Sequence, residues 1–332
     1  MSAIALDGYG ADGGPDLVLE GARLAARDGV EVRVFGPGSL DARDGVEVEP
    51  TEEHIDNQED PVASVRSRPE ASVVRAAAAV ADGRCSALVS AGSTGALMAA
   101  ATFGLRRSKG VHRPALAVQI PVPGSDDPPL VFLDAGANNE ARPQHLVQFA
   151  YLGAAFARAV LGTESPRVAL LSVGEEQRKG RPDVVEAHEA LSGAANIDFI
   201  GNVEGRDLLT GTADVIVTDG FTGNVALKTL EGTARGVAEA VRGAARSGPI
   251  AAAGGLLLRP ALGGLRRSMD PNSVGGAILL GLNGVAVVAH GSSTPEGVAN
   301  AVRLADRAVR ERAVERTAEL LEASGATRKG LR

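Results

Sequence analysis

Two short segments of the chain combine glycines with hydroxyl side chains in a way that could bind an anion. Each follows an apolar run and precedes a helical pattern, and both read G-x-T-G, at residues 92–95 and 220–223. A helix N-terminus offers unpaired N–H groups and about half a positive charge to a ligand. Two such turns in one sheet could therefore place two helix N-termini around one phosphate. The alternative is a pair of independent turns in which Thr94 and Thr222 start ordinary helices.

Polar side chains also follow other apolar runs, at Asn138, Glu175, Lys179 and His290. Lys179 is one of only four lysines among 34 basic residues. Because the chain uses arginine for nearly all its positive charge, each lysine is a candidate for a specific role. Neither G-x-S-x-G nor H-E-x-x-H occurs. The available N–H groups, amides, hydroxyls and lysine suit the binding and placement of an oxyanion rather than covalent catalysis. The alternative for residues 174–180 is a solvated charged loop.

The first loop does not predict a dinucleotide site, although Gly8, Gly10 and Gly13 match G-x-G-x-x-G. The acidic residue expected at the end of the second strand is absent, because that run ends in Phe35 and Gly36. We therefore expect no nicotinamide cofactor, and a polar loop ordered by its own aspartates instead. With one cysteine, Cys85, there is no cysteine metal cluster, and we expect that thiol to be a small buried hydrophobe and no metal to be bound.

Composition indicates an ordinary globular protein of 332 residues, 44% hydrophobic and 23% charged. The net charge of −7 argues against general nucleic-acid binding. The N-terminus lacks the pattern of a signal peptide, and no apolar run reaches the roughly 18 residues of a membrane-spanning helix. The sequence therefore predicts a cytoplasmic protein.

Short apolar runs alternate with helical patterns along the whole chain, which predicts an α/β fold with a mostly parallel, layered sheet covered by helices on both faces. Ligands of such folds bind at the carboxyl ends of strands. We expect one domain over 1–332, with a protruding helical hairpin at 243–270. Strands are predicted over 2–7, 31–35, 86–91, 114–121, 129–135, 167–173, 197–201, 213–218 and 284–290. Helices are predicted over 16–28, 70–82, 95–107, 143–161, 183–193, 223–245 and 295–322.

The ordered set of motifs resembles the PlsX family of bacterial acyl-carrier-protein:phosphate acyltransferases, from about residue 3 to about residue 305. The matching motifs include "SAGSTGALMA", "LDAGAN", "LLSVGEEQRKG", "TDGFTGNVALKTLEG" and "GGAILLGLNGVAVVAHGSS". The family usually reads S-A-G-N-T-G where this chain has Ser93, and A-M-G-G-D where this chain reads "YGAD" after Gly8.

The resemblance implies a Rossmann-like fold of the phosphate acyltransferase and isopropylmalate dehydrogenase type. It implies transfer of a long-chain fatty acyl group from acyl carrier protein to inorganic phosphate, without a cofactor. The acyl phosphate would feed a downstream membrane glycerol-3-phosphate acyltransferase in phospholipid synthesis. The resemblance also implies a homodimer.

Catalytic roles follow from the same resemblance. Lys179 would be the cation for phosphate and the oxyanion, and Asn224 would orient phosphate or the thioester carbonyl. Glu175 and Asp219 would position Lys179. The full substrate-binding set is Gly92, Ser93, Thr94, Gly95, Asn138, Glu175, Asp219, Thr222, Gly223 and His290.

Two basic segments, 106–113 and 259–268, are candidate docking surfaces for an acidic carrier protein. The second also carries Leu262 and Leu265, so it could lie on anionic lipid as a peripheral membrane contact or pack in the homodimer. Three alternative functions remain at this point. They are a phosphate acyltransferase that uses short acyl-coenzyme A, a metal-dependent hydroxyacid dehydrogenase, and an inactive scaffold for lipid-synthesis enzymes.

Overall fold

The computed structural model describes residues 2–268 and 275–331, and of residues 259–268 the backbone alone. Within these residues one sheet of 11 strands runs through the molecule in the order β3-β2-β1-β4-β11-β10-β5-β6-β9-β7-β8. The strands are β1 (Ile4–Asp7), β2 (Val32–Gly36), β3 (Val46–Pro50), β4 (Ala87–Ser90), β5 (Ala115–Ile120), β6 (Leu130–Leu133), β7 (Arg167–Leu171), β8 (Asp198–Val203), β9 (Val215–Val217), β10 (Ala277–Leu280) and β11 (Val285–Val288).

Helices cover both faces of this sheet, as the alternating pattern predicts. They are α1 (Gly14–Arg27), α2 (Pro61–Ser67), α3 (Ser72–Ala81), α4 (Thr94–Gly104), α5 (Pro143–Val160), α6 (Pro182–Leu191), α7 (Gly220–Ala245), α8 (Pro249–Ser268), α9 (Pro295–Arg310) and α10 (Ala313–Ala323), with a 3-10 turn at Gly205–Leu209. Helices α1, α5 and α9 bury one face of the sheet, and α3 and α4 bury part of the other. The apolar runs are continuous because their strands are covered on both sides.

The direction of the strands divides the sheet into two halves. Strands β3, β2, β1, β4 and β11 are mutually parallel, and so are β6, β9, β7 and β8. Between them, β10 is antiparallel to β11 and to β5, and β5 is antiparallel to β6. The two parallel groups therefore run in opposite directions. The sheet is mixed and mostly parallel, which confirms the predicted class.

Several elements differ from the sequence-based prediction. The predicted set omits β3, β10 and α2, each of which is seven residues or shorter. The single helix predicted over 295–322 is two helices, because Arg312 takes a left-handed conformation with φ of 52° and ends the first. Helix α7 begins at Gly220, three residues before the predicted start. Cys85 is buried, as expected.

Helices α7 and α8 contact each other as a hairpin, and of α7 only Gly220 and Gly223 are buried. The segment predicted as a helical hairpin, 243–270, contains the last residues of α7 and the whole of α8, and its residues 269 and 270 lie outside the described residues. The predicted amphipathic side chains beyond residue 258 also lie outside them. In the described parts of the chain, no helix is both long and apolar enough to cross a membrane.

Candidate active site

The turn between β9 and α7 is closed by the carboxylate of Asp219. This buried side chain is the N-cap of α7, and its Oδ1 accepts a hydrogen bond of 3.0 Å from the N–H of Thr222. Its Oδ2 accepts a second bond of 2.7 Å from the hydroxyl of Thr222. A capping carboxylate also interacts favourably with the positive end of the helix dipole. Asp219 therefore fixes where α7 begins and holds Thr222 at its first turn.

The two glycines of this G-x-T-G turn are required by close packing against the loop after β6. The N–H of Gly220 donates to the carbonyl of Asn138 at 2.8 Å, and a Cβ at Gly220 would lie 2.5 Å from that oxygen. A Cβ at Gly223 would lie 1.9 Å from the carbonyl oxygen of Asp134. Any other residue would push the two loops apart. The turn after β9 and the loop after β6 thus form one unit, as neighbouring parallel strands allow.

A buried carboxylate organises the loop after β6. Asp134 is fully buried, and its two oxygens accept hydrogen bonds of 2.7–3.1 Å from the N–H groups of Leu116, Gly136, Ala137 and Asn138 and from the side-chain amide of Asn138. Burial raises the pKa of Asp134, and the N–H donors act in the opposite direction because they favour the ionised form. The same amide of Asn138 donates to the carbonyl of Pro114 at 2.8 Å. Asn138 is therefore a structural link between β5, β6 and α7.

Asn224 lies at the exposed edge of this unit. Its side chain is in van der Waals range of Gly136, where a Cβ would lie 3.7 Å from Asn224 Oδ1. Gly136 has φ of 139°, a conformation that other residues rarely adopt. The amide of Asn224 is exposed to solvent beside the first turn of α7, where it is accessible to a ligand.

The loop between β7 and α6 presents Lys179 on a fixed backbone. The carbonyl of Lys179 accepts a hydrogen bond of 3.0 Å from the hydroxyl of Ser172, and its N–H donates to the carbonyl of Glu176 at 2.9 Å. That carbonyl also accepts from the amide of Asn202 at 3.0 Å, and Asn202 pairs with the ring of His188 at 2.9 Å. The ammonium group itself is exposed and has no ion-pair or hydrogen-bond partner among the described residues.

The predicted partners of Lys179 are engaged elsewhere. Glu175 forms an ion pair with Arg206 at 3.1 Å, and Asp219 forms one with Arg181 at 3.1 Å. The expectation that these two carboxylates position Lys179 is therefore wrong in this structure. Backbone hydrogen bonds position the lysine instead. Arg181, which the sequence analysis did not single out, also pairs with Asp183 at 2.7 Å and so ties the start of α6 to the start of α7.

The other G-x-T-G turn belongs to a second polar cluster. The hydroxyl of Ser93 caps α4 by accepting from the N–H of Ala96 at 3.3 Å. The N–H of Gly92 donates to the hydroxyl of Ser90, which donates to the buried carboxylate of Asp7 at 2.7 Å. Asp7 also accepts from the N–H of Tyr9, so it orders the first loop as predicted. Burial raises the pKa of Asp7, and its hydrogen bonds lower it. A cavity of about 60 Å³ lies above this carboxylate.

The two turns have different neighbours in the described residues. Gly92 packs on Gly10, and Gly220 packs on Asn138. Their strands, β4 and β9, are separated by four others and run in opposite directions. His290 follows β11 beside the polar cluster of Asp7 and Gly92, where its Nδ1 lies 2.8 Å from the hydroxyl of Ser292. The structure thus groups the candidate residues in two clusters. One contains Gly92, Ser93, Thr94, Gly95 and His290, and the other contains Asn138, Asp219, Thr222, Gly223 and Asn224. The ion pair of Arg181 with Asp219 ties the loop of Glu175 and Lys179 to the latter cluster.

The cluster around Asp219 and Asn224, together with the Lys179 loop tied to it, presents groups that can hold and stabilise an oxyanion. Within the described residues, no three histidine, cysteine or acidic side chains come together as a metal site would require. What the cluster presents is an exposed ammonium, an exposed amide and the N-terminus of a helix. These are donors for an anionic substrate or a developing oxyanion, so the site is of the kind that acyl-transfer enzymes use.

Comparison with known proteins agrees with that class. A model of the family described as "Fatty acid synthesis protein" matches residues 2–316. A protein from Elusimicrobium minutum named "Phosphate acyltransferase" is 45% identical over 318 residues, which is 92% of each chain. One of the same name from Lactococcus lactis subsp. cremoris is 43% identical over 90% of this chain and 92% of its own. The chain therefore belongs to the phosphate acyltransferase family and is an acyltransferase enzyme.

Solved structures with a similar fold are more distant. A phosphotransacetylase from Streptococcus pyogenes superposes with a TM-score of 0.62 at 17% identity, over 93% of this chain and 94% of its own. A 4-hydroxythreonine-4-phosphate dehydrogenase from Klebsiella pneumoniae gives a TM-score of 0.54 at 14% identity, over 93% of this chain and the whole of its own. At such identities the likeness extends to the fold alone.

Proposed function

We propose that the enzyme transfers a long-chain fatty acyl group from acyl carrier protein to inorganic phosphate. The products are acyl phosphate and the free thiol of the carrier. The single observation that carries this proposal is the ammonium of Lys179, which has no partner among the described residues. Its loop is held by backbone hydrogen bonds and tied through Arg181 to the turn that presents Asn224. The names of the relatives and the sequence motifs around both residues support the same reaction.

The chemistry requires no nucleophile from the protein. A phosphate oxygen attacks the thioester carbonyl and forms the new C–O bond, the C–S bond breaks, and sulfur leaves with the electron pair. A thiol has a pKa of about 8.5, so its thiolate leaves without a strong general acid. Lys179 and Asn224 would hold phosphate beside the carbonyl and stabilise the negative charge that develops on the carbonyl oxygen.

Apolar side chains next to these polar groups suit a fatty acyl donor. Val173, in the Lys179 loop, is 80% exposed, and Phe221 and Val225, on either side of Thr222 and Asn224, are 63% and 50% exposed. Large apolar side chains exposed together commonly mark a surface that a ligand or partner covers. An acyl chain lying on them would bring its thioester to the polar end of α7. We therefore propose a homodimer, in which the second subunit covers part of this surface and completes the apolar site.

The product determines the partners of the reaction. Acyl phosphate is a reactive mixed anhydride, so it must pass quickly to an enzyme that acylates an alcohol. A membrane glycerol-3-phosphate acyltransferase of phospholipid synthesis fits that role. We accordingly propose a cytoplasmic enzyme that contacts the membrane periphery through the α7–α8 hairpin, where Ile250, Leu256 and Leu257 are exposed.

The proposal is tested with purified protein, palmitoyl-carrier protein and inorganic phosphate, with acyl phosphate trapped by hydroxylamine as the hydroxamate. We expect product that depends on phosphate and on the carrier-bound thioester. Palmitoyl-coenzyme A and acetyl-coenzyme A are run in parallel, because product from a coenzyme A thioester alone would favour the short-acyl alternative. An absence of product from every thioester would overturn the proposed function.

A further inference from the structure

Five basic residues form one surface beside the candidate active site. This basic surface consists of Lys109, Arg113, Arg142, Arg328 and Lys329, all of which are exposed. They come from three separate segments of the chain. Within the described residues, none of the five has a side-chain hydrogen bond or an ion pair. Unpaired cations gathered at one place are notable in a protein whose net charge is −7.

The segments are held together by one buried side chain. Gln148, on α5, is fully buried, and its amide N–H groups donate to the carbonyls of Gly110 at 2.7 Å and Ala326 at 2.9 Å. Its Oε1 accepts from the N–H of His112 at 2.7 Å. The N–H of Arg328 donates to Gly110 as well, at 2.6 Å. The loop at 106–113 and the C-terminal segment are therefore fixed side by side, with their cations facing solvent.

The electrostatic surroundings of two histidines show that the arginines converge. His112 and His145 lie with ring centroids 5.5 Å apart beneath this surface. Burial lowers the pKa of both. The pKa of His112 is lowered further by Arg328 and Arg107, and that of His145 by Arg113, His112 and Arg142. Among the described residues, the charges that act on these two histidines are therefore positive, which agrees with a basic surface above them.

The basic surface is connected to the candidate active site by short covalent and hydrogen-bonded paths. Pro114, the residue after Arg113, accepts a hydrogen bond of 2.8 Å from Asn138, whose carbonyl accepts one from Gly220 at the start of α7. Arg142 is four residues after Asn138 in the same loop. A protein bound at this surface would lie beside the turn that carries Asn224.

We infer that the basic surface docks the acidic carrier protein that delivers the acyl thioester. The inference rests on the proposed function and adds the place where the partner binds. Of the two basic segments in the sequence, we choose 106–113 because Arg328 and Lys329 add positive charge beside it and because it adjoins the candidate active site. Complementary charge of this kind steers association and fixes orientation more than it adds contact area.

The test compares double charge reversals that make the same change in net charge. Lys109→Glu with Arg113→Glu and Arg328→Glu with Lys329→Glu alter the basic surface from two different segments. Arg266→Glu with Arg267→Glu alters the alternative basic segment. Arg27→Glu with Arg307→Glu, on exposed last turns of α1 and α9, is the control. Thermal unfolding confirms that each variant is folded.

Binding is measured by fluorescence anisotropy of labelled carrier protein. Turnover is measured with palmitoyl-carrier protein and, as a substrate without a carrier protein, with palmitoyl-pantetheine. Both surface variants should raise Kd and KM for the carrier by about tenfold or more, with palmitoyl-pantetheine turnover unchanged. Loss of carrier binding in the Arg266/Arg267 variant instead, or equal binding by surface and control variants, would overturn the inference. So would surface variants that lose binding only to phosphatidylglycerol vesicles. If wild type binds the carrier but forms no acyl phosphate, the proposed function fails while the docking surface stands.

Discussion

The side-chain amide of Asn138 donates a 2.7 Å hydrogen bond to the buried carboxylate of Asp134. This pair joins the loop after β6 to α7, because the backbone of Asn138 also contacts Gly220 and that of Asp134 contacts Gly223. The geometry of the candidate site therefore depends on a carboxylate that is fully buried behind it.

Asp134→Asn should destabilise the protein strongly. An amide at this position would turn an N–H group toward N–H donors and leave buried polar atoms unpaired. We expect the free energy of unfolding to fall by about 3 kcal/mol, measured by urea denaturation. Asn139→Ala, at the exposed neighbour of Asn138, is the control and should change it by no more than about 0.5 kcal/mol. Equal stability of the two variants would show that the Asp134 network does not hold the loop.

Substitutions at Asp219 should separate its capping role from its ion pair. Asp219→Ala removes the cap of α7 and should cost about 1 to 2 kcal/mol in the free energy of unfolding. Asp219→Asn keeps a capping oxygen and removes the charge that meets Arg181, a half-exposed pair worth little stability. We expect the asparagine variant to be nearly as stable as wild type but less active. Full activity in both variants would show that the link to Arg181 does not matter for catalysis.

Asn202→Ala tests whether the backbone of the Lys179 loop must be held. The carbonyl of Glu176 would lose its side-chain donor, and His188 would lose its partner. We expect kcat to fall by about tenfold with little change in KM for the carrier, because positioning of a catalytic group affects the chemical step more than binding. Ser172→Ala, which frees the carbonyl of Lys179, should act in the same direction. A loss of stability with unchanged kcat would assign both residues a purely structural role.

His145 should make stability depend on pH between about 6.5 and 4. Burial, with Arg113, His112 and Arg142 adding to it, lowers the pKa of His145 from 6.5 to about 4 in the folded protein. In that window the unfolded chain binds the proton that the folded protein excludes, so stability is present above pH 6.5 and lost as pH falls toward 4. Asp7 and Asp134, whose pKa values are raised, act in the opposite direction.

The histidine contribution is therefore measured as the difference in unfolding free energy between wild type and His145→Gln. That difference should be about 2 to 3 kcal/mol more in favour of wild type at pH 7 than at pH 4. A difference that does not change with pH would contradict the buried neutral state of His145.

The sequence predicts the class of fold because buried strands appear in it as short, nearly continuous apolar runs. Runs such as "ALAVQI" and "VALLSV" are apolar at five of their six positions, a pattern typical of strands covered on both faces. Such runs carry no information about strand direction, so the antiparallel positions of β10 and β5 were not predictable. For the same reason the sequence suggested that the two G-x-T-G turns face one ligand, whereas they follow strands that run in opposite directions.

The candidate site was only partly predictable from the residues. The G-x-T-G turn at α7 was recognisable because its glycines and Asp219 are close in sequence and act locally. The supports of Lys179 were not, because Asn202 lies 26 residues from Glu176 and Arg181 lies 38 residues from Asp219. Contacts between distant residues leave no periodic pattern in the sequence.

The central claim is that the exposed ammonium of Lys179 acts on the reacting phosphate and carbonyl. It is tested most directly by phosphate-dependent turnover of palmitoyl-carrier protein by Lys179→Ala and by Arg178→Ala, the adjacent exposed cation. Lys179→Ala should lower kcat by about 10²–10³ with unchanged thermal stability, and Arg178→Ala should stay near wild type. Wild-type turnover by Lys179→Ala, or an equal loss in both variants, would contradict the account.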